Sequence, residues 1–217
     1  MNTDNARKYV SEWSPLMYEK GIIKEDIGSI SARSDEVMLI TPDGCSFKKC
    51  KPEDLAVVRI DSGEVIGQVK PAADYRLHAA LYRKKKCNAA IHTNLPNITT
   101  ASRAGNTVYP MLDDMAQIVG TSAKVADYSY YPSDNQIKKI LKALHWRSGV
   151  LLSGQGALCC GSDIDDAYAV CQVLEKGCKS FIETAFLGGG YTINKIETAL
   201  MRFVYVMKYS KASSTNK

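Results

Sequence analysis

The chain has 217 residues, 45% hydrophobic and 24% charged, enough apolar content for one core of ordinary domain size, which excludes intrinsic disorder as the main state. No apolar run approaches the ~20 residues that span a bilayer, and Met1 to Lys8 lacks the charged-then-apolar order of a signal peptide, so a cytoplasmic protein without a membrane partner is expected. The net charge of +5 comes largely from Arg83 to Lys86 and the tail from Lys208 to Lys217, without interleaved aromatics, so nucleic-acid binding is not expected either.

One domain is expected over residues 4–209, followed by a disordered tail, 210–217. Tyr9, Val10, Trp13, Leu16 and Met17 recur at helical spacing, with Pro15 as a bend and Gly21 as a C-terminal cap. Ser29 to Arg33 and Val37 to Thr41 read as strands around a Ser34-Asp35 turn, and Pro42-Asp43-Gly44 is a strong turn signal. Further strands are predicted over Ala56 to Ile60 and Glu64 to Val69. Pro71 suits the first position of a helix burying Leu77, Ala80 and Leu81. Asn88 to Thr93 reads as a buried strand, and Pro96 opens a short helix. Val150 to Ser153 and Ala157 to Cys160 are strand-like runs broken by Gly154-Gln155-Gly156. The clearest helix starts at a capping box of Ser162 and Asp165 and buries Ala167, Val170, Cys171, Leu174, Cys178, Phe181, Ile182 and Ala185, ending at Gly188-Gly189-Gly190. A last helix carries Ile196, Leu200, Phe203, Val204 and Met207. Strands and helices alternate but not one for one, which predicts an α/β fold with a mixed sheet and helices on both faces. Seven cysteines without CxxC spacing fit a reducing compartment, as small core side chains.

Three places set polar groups against apolar strands. His92 and Asn94, two residues apart at a strand end, point the same way. Flanking glycines present Gln155 from a tight turn. Asp74 falls in the first turn of a helix, where the free N–H groups of Ala72 and Ala73 favour an anion.

Together with Gly28-Ser29-Ile30-Ser31, Leu39-Ile40-Thr41-Pro42-Asp43-Gly44, Lys51-Pro52-Glu53-Asp54-Leu55, Asp74-Tyr75-Arg76-Leu77-His78 and the run from Asp113 to Gly120, these residues resemble the class II aldolase/adducin family over about Arg7 to Tyr209. The run around Asp114 is most similar to the fuculose-phosphate aldolase branch. The resemblance implies a single-domain α/β/α sandwich around a central, mixed but largely antiparallel sheet. It also implies a sugar-phosphate-like ligand, a homotetramer whose closed symmetry buries helix faces left over from the core, and, in active relatives, zinc.

The departures fall on the chemistry. The family's His-x-His and Asn-His-Gly zinc patterns read His92-Thr93-Asn94 and Gly154-Gln155-Gly156 here, so His92, Asn94 and Gln155 hold the metal-ligand positions with one imidazole and two weakly donating amides. No zinc and no other cofactor is therefore expected. The family's catalytic glutamate is Asp74, shorter by one methylene. Its phosphate-binding residues correspond to Gly28, Ser29, Thr41, Gly44, Ala72 and Ala73, with three hydroxyl or amide donors lost. Tyr209 matches a region where aldolases place a substrate-protonating tyrosine, with a surface tyrosine as the alternative; Asp113 or Asp114 either reaches the cleft or caps the next helix. The sequence thus leaves three readings: a ligand binder without zinc-dependent aldol cleavage, an aldolase or epimerase with a weaker or non-zinc metal, and a metal-free dehydratase or isomerase.

Overall fold

The computed structural model describes residues 3–24 and 27–212, with side chains through residue 208. Helix α1 (Thr3–Glu19) buries Ala6, Val10, Ser14 and Met17 and continues through Pro15. Leu16 is exposed, because it lies about 100° around the helix from Met17. Strands β1 (Ser29–Ser34) and β2 (Val37–Ile40) form a hairpin whose turn places Asp35 at φ 50°. Next come β3 (Ala56–Arg59) and β4 (Val65–Ile66), the latter shorter than the predicted strand over 64–69. Helix α2 (Tyr75–Lys84) leads to β5 (Ala89–Thr93) and α3 (Pro96–Ala104). After a π-helical turn (Met115–Val119) come β6 (Val125–Ala126) and α4 (Asp134–Leu144). The chain closes with β7 (Gly149–Leu152), β8 (Gly156–Gly161), α5 (Ile164–Phe186) and α6 (Lys195–Ala212).

The eight strands lie in the order β4-β3-β2-β1-β5-β8-β7-β6, antiparallel except for the β6–β7 pair. Alternation along the strands fills two cores. Leu39, Ile91, Leu151 and Cys159 face α1, α3 and α5, whereas Met38, Ala90, Val150 and Leu158 face α2 and α4. Helices therefore cover both faces, as the alternation of elements predicts.

Two helix starts differ from the sequence reading. Helix α2 begins at Tyr75, not Pro71: Pro71 instead forms a bridge with Pro42, which holds Lys70 to Ala72 against Thr41 to Asp43, just past the end of β2. Helix α5 is capped by Asp163, whose carboxylate accepts from Asp166 N (2.8 Å), and Asp166 accepts in turn from Ser162 N (2.9 Å), so the box sits one residue later than predicted. Toward its end Ile182 is only half-buried and Ala185 is exposed, because the helix outruns the core.

Helix α6 packs on the π-helical turn through Arg202, whose guanidinium donates to Gln117 O (2.7 Å), Ile118 O (2.8 Å) and Ser148 Oγ (2.7 Å). Burial lowers the pKa of this group, but the carbonyls keep it hydrogen-bonded. Arg202→Met should cost about 2–3 kcal/mol by leaving these acceptors unpaired. Urea unfolding checks it, and a loss under about 1 kcal/mol would mean that water replaces the guanidinium.

Candidate active site

The β1 residues Ser29 and Ser31 share the strand face turned toward α2. From α2, Asp74 at the N-cap, His78 and Tyr82 come at intervals of four and so stack on one helix face. The two rows interleave as a buried polar chain. Ser29 Oγ donates to Asp74 Oδ2 (3.0 Å) and lies 3.0 Å from His78 Nε2, Ser31 Oγ is 2.7 Å from His78 Nδ1, and Tyr82 Oη is 2.7 Å from Ser31 Oγ. None of these five residues is more than 3% exposed, so each hydrogen bond matters for keeping the others satisfied.

At its outer end the chain meets His92 of β5, with Nδ1 2.9 Å from Asp74 Oδ2 and Nε2 2.8 Å from the backbone carbonyl of Gln155. A carbonyl only accepts, so Nε2 carries a hydrogen; an ionised Asp74 accepts as well, so Nδ1 carries the other and the ring is an imidazolium. Burial disfavours charge on both partners, yet the contacts outweigh it. Burial raises the Asp74 carboxyl, but the His78 and His92 imidazoles hold it well below the usual carboxylate range. Burial lowers His92, but the Asp74 carboxylate and the Gln155 carbonyl raise it above an ordinary histidine.

Glycines set this geometry. A Cβ on Gly28 (φ 109°) would stand 2.5 Å from His92 O, and one on Gly156 (φ 98°) would stand 2.0 Å from Thr93 O. Only at glycine can the strand ends close in and bring the Gln155 carbonyl onto His92. The pair opens on a cavity of about 250 Å³, walled by Phe47, Cys45 and Tyr128, with Gly28, Gly44, Ala72 and Ala73 on its rim. Tyr128 meets the His92 ring edge to face at 5.4 Å. Asp43 also lines it, accepting from Lys70 Nζ (2.5 Å) and Tyr130 Oη (2.9 Å), and these hydrogen bonds lower its pKa.

Of the predicted site residues, Asp74, His92, Gln155, Gly28, Gly44, Ala72 and Ala73 converge on this cavity. Ser29 and Thr41 lie just behind it: Ser29 is bonded to Asp74, and Thr41 Oγ1 accepts from Ile30 N (3.1 Å). Asn94 does not line it. Strand β5 ends at Thr93 and the backbone turns toward Pro96, so the alternation stops one residue short of including Asn94. The anion cradle expected at Ala72 and Ala73 is not formed as predicted, since α2 starts at Tyr75 and Ala72 N donates to Thr41 O (3.1 Å). Asp114 is away from the cavity: it bonds Met115 N (2.8 Å) and pairs with Lys176 (2.8 Å). Tyr209 belongs to α6, but its side chain lies outside the described residues. Ser31 and His78 enter the sequence analysis only as members of the motif runs, with no site role, and Tyr82 and Tyr128 are not among the predicted site residues, although the four-residue spacing of Asp74, His78 and Tyr82 is a visible signal.

Zinc does not fit this donor set. Both ring nitrogens of His92 are directed at acceptors, leaving no lone pair for a metal, and Asn94 Oδ1 is buried without a partner rather than directed into the cavity. Among the described residues no three His, Cys, Asp or Glu side chains are grouped to hold a metal ion.

Residues 8–182 match the family model described as the class II aldolase and adducin N-terminal domain. The chain belongs to this family. Its relatives there include the 5-deoxy-D-ribulose 1-phosphate aldolase of Bacillus thuringiensis, 24% identical over 87% of this chain and 89% of the relative. The 3-oxo-tetronate 4-phosphate decarboxylase of Haemophilus influenzae is 30% identical over 82% and 88%. Among solved structures, an L-fuculose 1-phosphate aldolase superposes with a TM-score of 0.87 at 21% identity, covering 93% of this chain and 96% of that one. The L-fuculose-1-phosphate aldolase of Thermus thermophilus gives 0.73 at 20%, covering 87% and 100%. At these identities the superpositions show a class II aldolase fold.

Proposed function

We propose that this class II aldolase-family chain binds a small sugar-phosphate-like ligand in the Asp74–His92 cavity and does not carry out zinc-dependent aldol cleavage. The observation that carries this reading is the double commitment of His92, to the Asp74 carboxylate and to the Gln155 carbonyl. An imidazole in that state competes for a metal only after losing both a proton and an ion pair. The protein purified without chelator should hold far less than one zinc per chain by elemental analysis and should not cleave L-fuculose 1-phosphate above background. One zinc per chain with ready cleavage would overturn the reading, and a different metal with turnover would favour the aldolase or epimerase alternative.

A second reading, metal-free proton transfer by a dehydratase or isomerase, is favoured by the same pair meeting the cavity as an acid beside a base. Asp74 would accept a proton from the ligand and His92 would donate one from Nδ1 or Nε2. Turnover of a sugar phosphate by metal-free protein, lost in Asp74→Asn, separates this reading from simple binding.

The proposed oligomer is a homotetramer. On α6 the side chains of Ile196, Leu200, Phe203 and Val204 follow helical spacing and are all more than half exposed, an apolar stripe that a second copy would cover. We place the protein in the cytoplasm, where its buried cysteines stay reduced. Light scattering at micromolar concentration should give four times the chain mass, and a monomer would overturn the tetramer.

A further inference from the structure

We propose that the groove where α2 and α4 both end is a second binding site, for a nucleoside polyphosphate. The groove encloses about 320 Å³ and lies at the far end of α2 from Asp74, ten residues or about 15 Å along the helix. Its floor is apolar: Leu81 and Leu144 are buried and Leu141 is half-buried. Its rim is cationic, with Lys84 and Lys85 from the end of α2 and Lys138 and Lys142 from α4. Among the described residues, none of these four ammonium groups is within 4 Å of a carboxylate, and no Asp or Glu lines the groove.

A simpler account of such lysines is that helix C-termini attract cations, and Lys84 and Lys142 do lie in last turns. It does not reach far enough. Two helix ends supply roughly one negative charge between them, against four lysines, so the groove keeps an excess of about three positive charges with no carboxylate among its lining residues.

The second observation is Trp146. Its indole lines the groove, is 77% exposed and meets the His145 ring edge to face at 5.4 Å. Its backbone is left-handed at φ 61°, a conformation that costs a bulky residue about 1–2 kcal/mol. An exposed tryptophan in a strained backbone contributes little to the core, and such strain concentrates at binding sites. A flat apolar face beside four lysines fits a ligand that joins an aromatic ring to a chain of phosphates. Stacking takes the ring, and lysine, a compact point charge, takes the phosphates. A groove of this size holds one such molecule.

The test is titration of the full-length protein with ATP, adenosine and tripolyphosphate, followed by calorimetry at low and high salt. ATP should saturate one site below about 1 mM, and adenosine and tripolyphosphate should each bind at least about tenfold more weakly. Lys138→Glu with Lys142→Glu should weaken ATP by about tenfold or more, and Trp146→Ala by about tenfold. Lys20→Glu with Lys24→Glu, the same charge change at exposed positions following α1, should alter it by less than about twofold. All these residues are on the surface, so circular dichroism should show each variant folded. Tripolyphosphate binding as tightly as ATP, an unchanged ATP affinity in the Lys138/Lys142 variant, or equal loss in the control would each overturn the proposal. So would lysine-dependent sedimentation with phosphatidylserine vesicles in the absence of saturable ATP binding, which would make the groove a membrane contact.

Discussion

Asp74→Ala should destabilise the protein by about 3–5 kcal/mol near pH 5.5, and by clearly less at alkaline pH. The carboxylate is buried between two imidazoles and a serine hydroxyl, and removing it leaves His92 as a buried cation with a single acceptor, the Gln155 carbonyl. The sign of the pH dependence follows from the two shifts. The depressed Asp74 contributes stability above about pH 3.9, the unfolded carboxyl value, and loses it as pH falls toward the folded one. The raised His92 contributes below about pH 6.5, the unfolded imidazole value, and loses it as pH rises through the folded one. The pair is therefore worth most between about pH 4 and 6.5. Above that window the wild-type pair loses its ionic component, and in the variant His92 can shed the Nδ1 proton and still donate from Nε2. No helix cap is lost with the side chain, because Asp74 makes no capping bond to the start of α2. Urea unfolding of both proteins at pH 5.5 and 8.5 measures the effect. A difference equal at the two pH values would mean that the pair is not ionic.

Much of this arrangement is legible in the sequence, and what is not has identifiable causes. The short, mostly apolar run from Ala89 to Thr93 marks a strand buried on both faces, and the helically spaced stripe from Ala167 to Cys178 marks α5. Helix α4 is not among the predicted elements, although its signal is equally clear, with the reciprocal Ser133–Gln136 capping box and Ile137, Ile140 and Leu144 behind it. The site is legible in its membership more than in its geometry. Sequence spacing points to His92, Asp74 and Gln155, but whether Gln155 offers its amide or its backbone carbonyl depends on the dihedrals of the flanking glycines. Asn94 shows the limit of a periodicity argument, which holds only while the strand lasts. The pairing of Ser29 and Ser31 with Asp74, His78 and Tyr82 joins segments about 45 residues apart, a register that tertiary packing sets and local pattern does not.

Gly156→Ala should be among the most damaging single substitutions in the chain, costing on the order of 4 kcal/mol or preventing folding. The added Cβ would stand 2.0 Å from Thr93 O and 3.0 Å from Asn94 Cα, which are backbone atoms of the strand paired with β8 and the residue after it, so neither can swing aside. The φ of 98° adds strain that alanine cannot relieve. Gly154, two residues earlier in the same turn, provides the comparison. Its φ of 72° is also left-handed, but nothing lies within 4 Å of an added Cβ, so Gly154→Ala should cost only about 1 kcal/mol. The difference of about 3 kcal/mol isolates the close approach of β8 to β5 from backbone preference. Any Gly156→Ala protein that does fold should have its Gln155 carbonyl pushed off His92 Nε2, and loss of the slowly exchanging ring N–H in the imidazole NMR spectrum would report it. Equal costs for the two variants would mean that the strands can separate at little expense, and that the carbonyl holding His92 in its doubly protonated state is not rigidly placed.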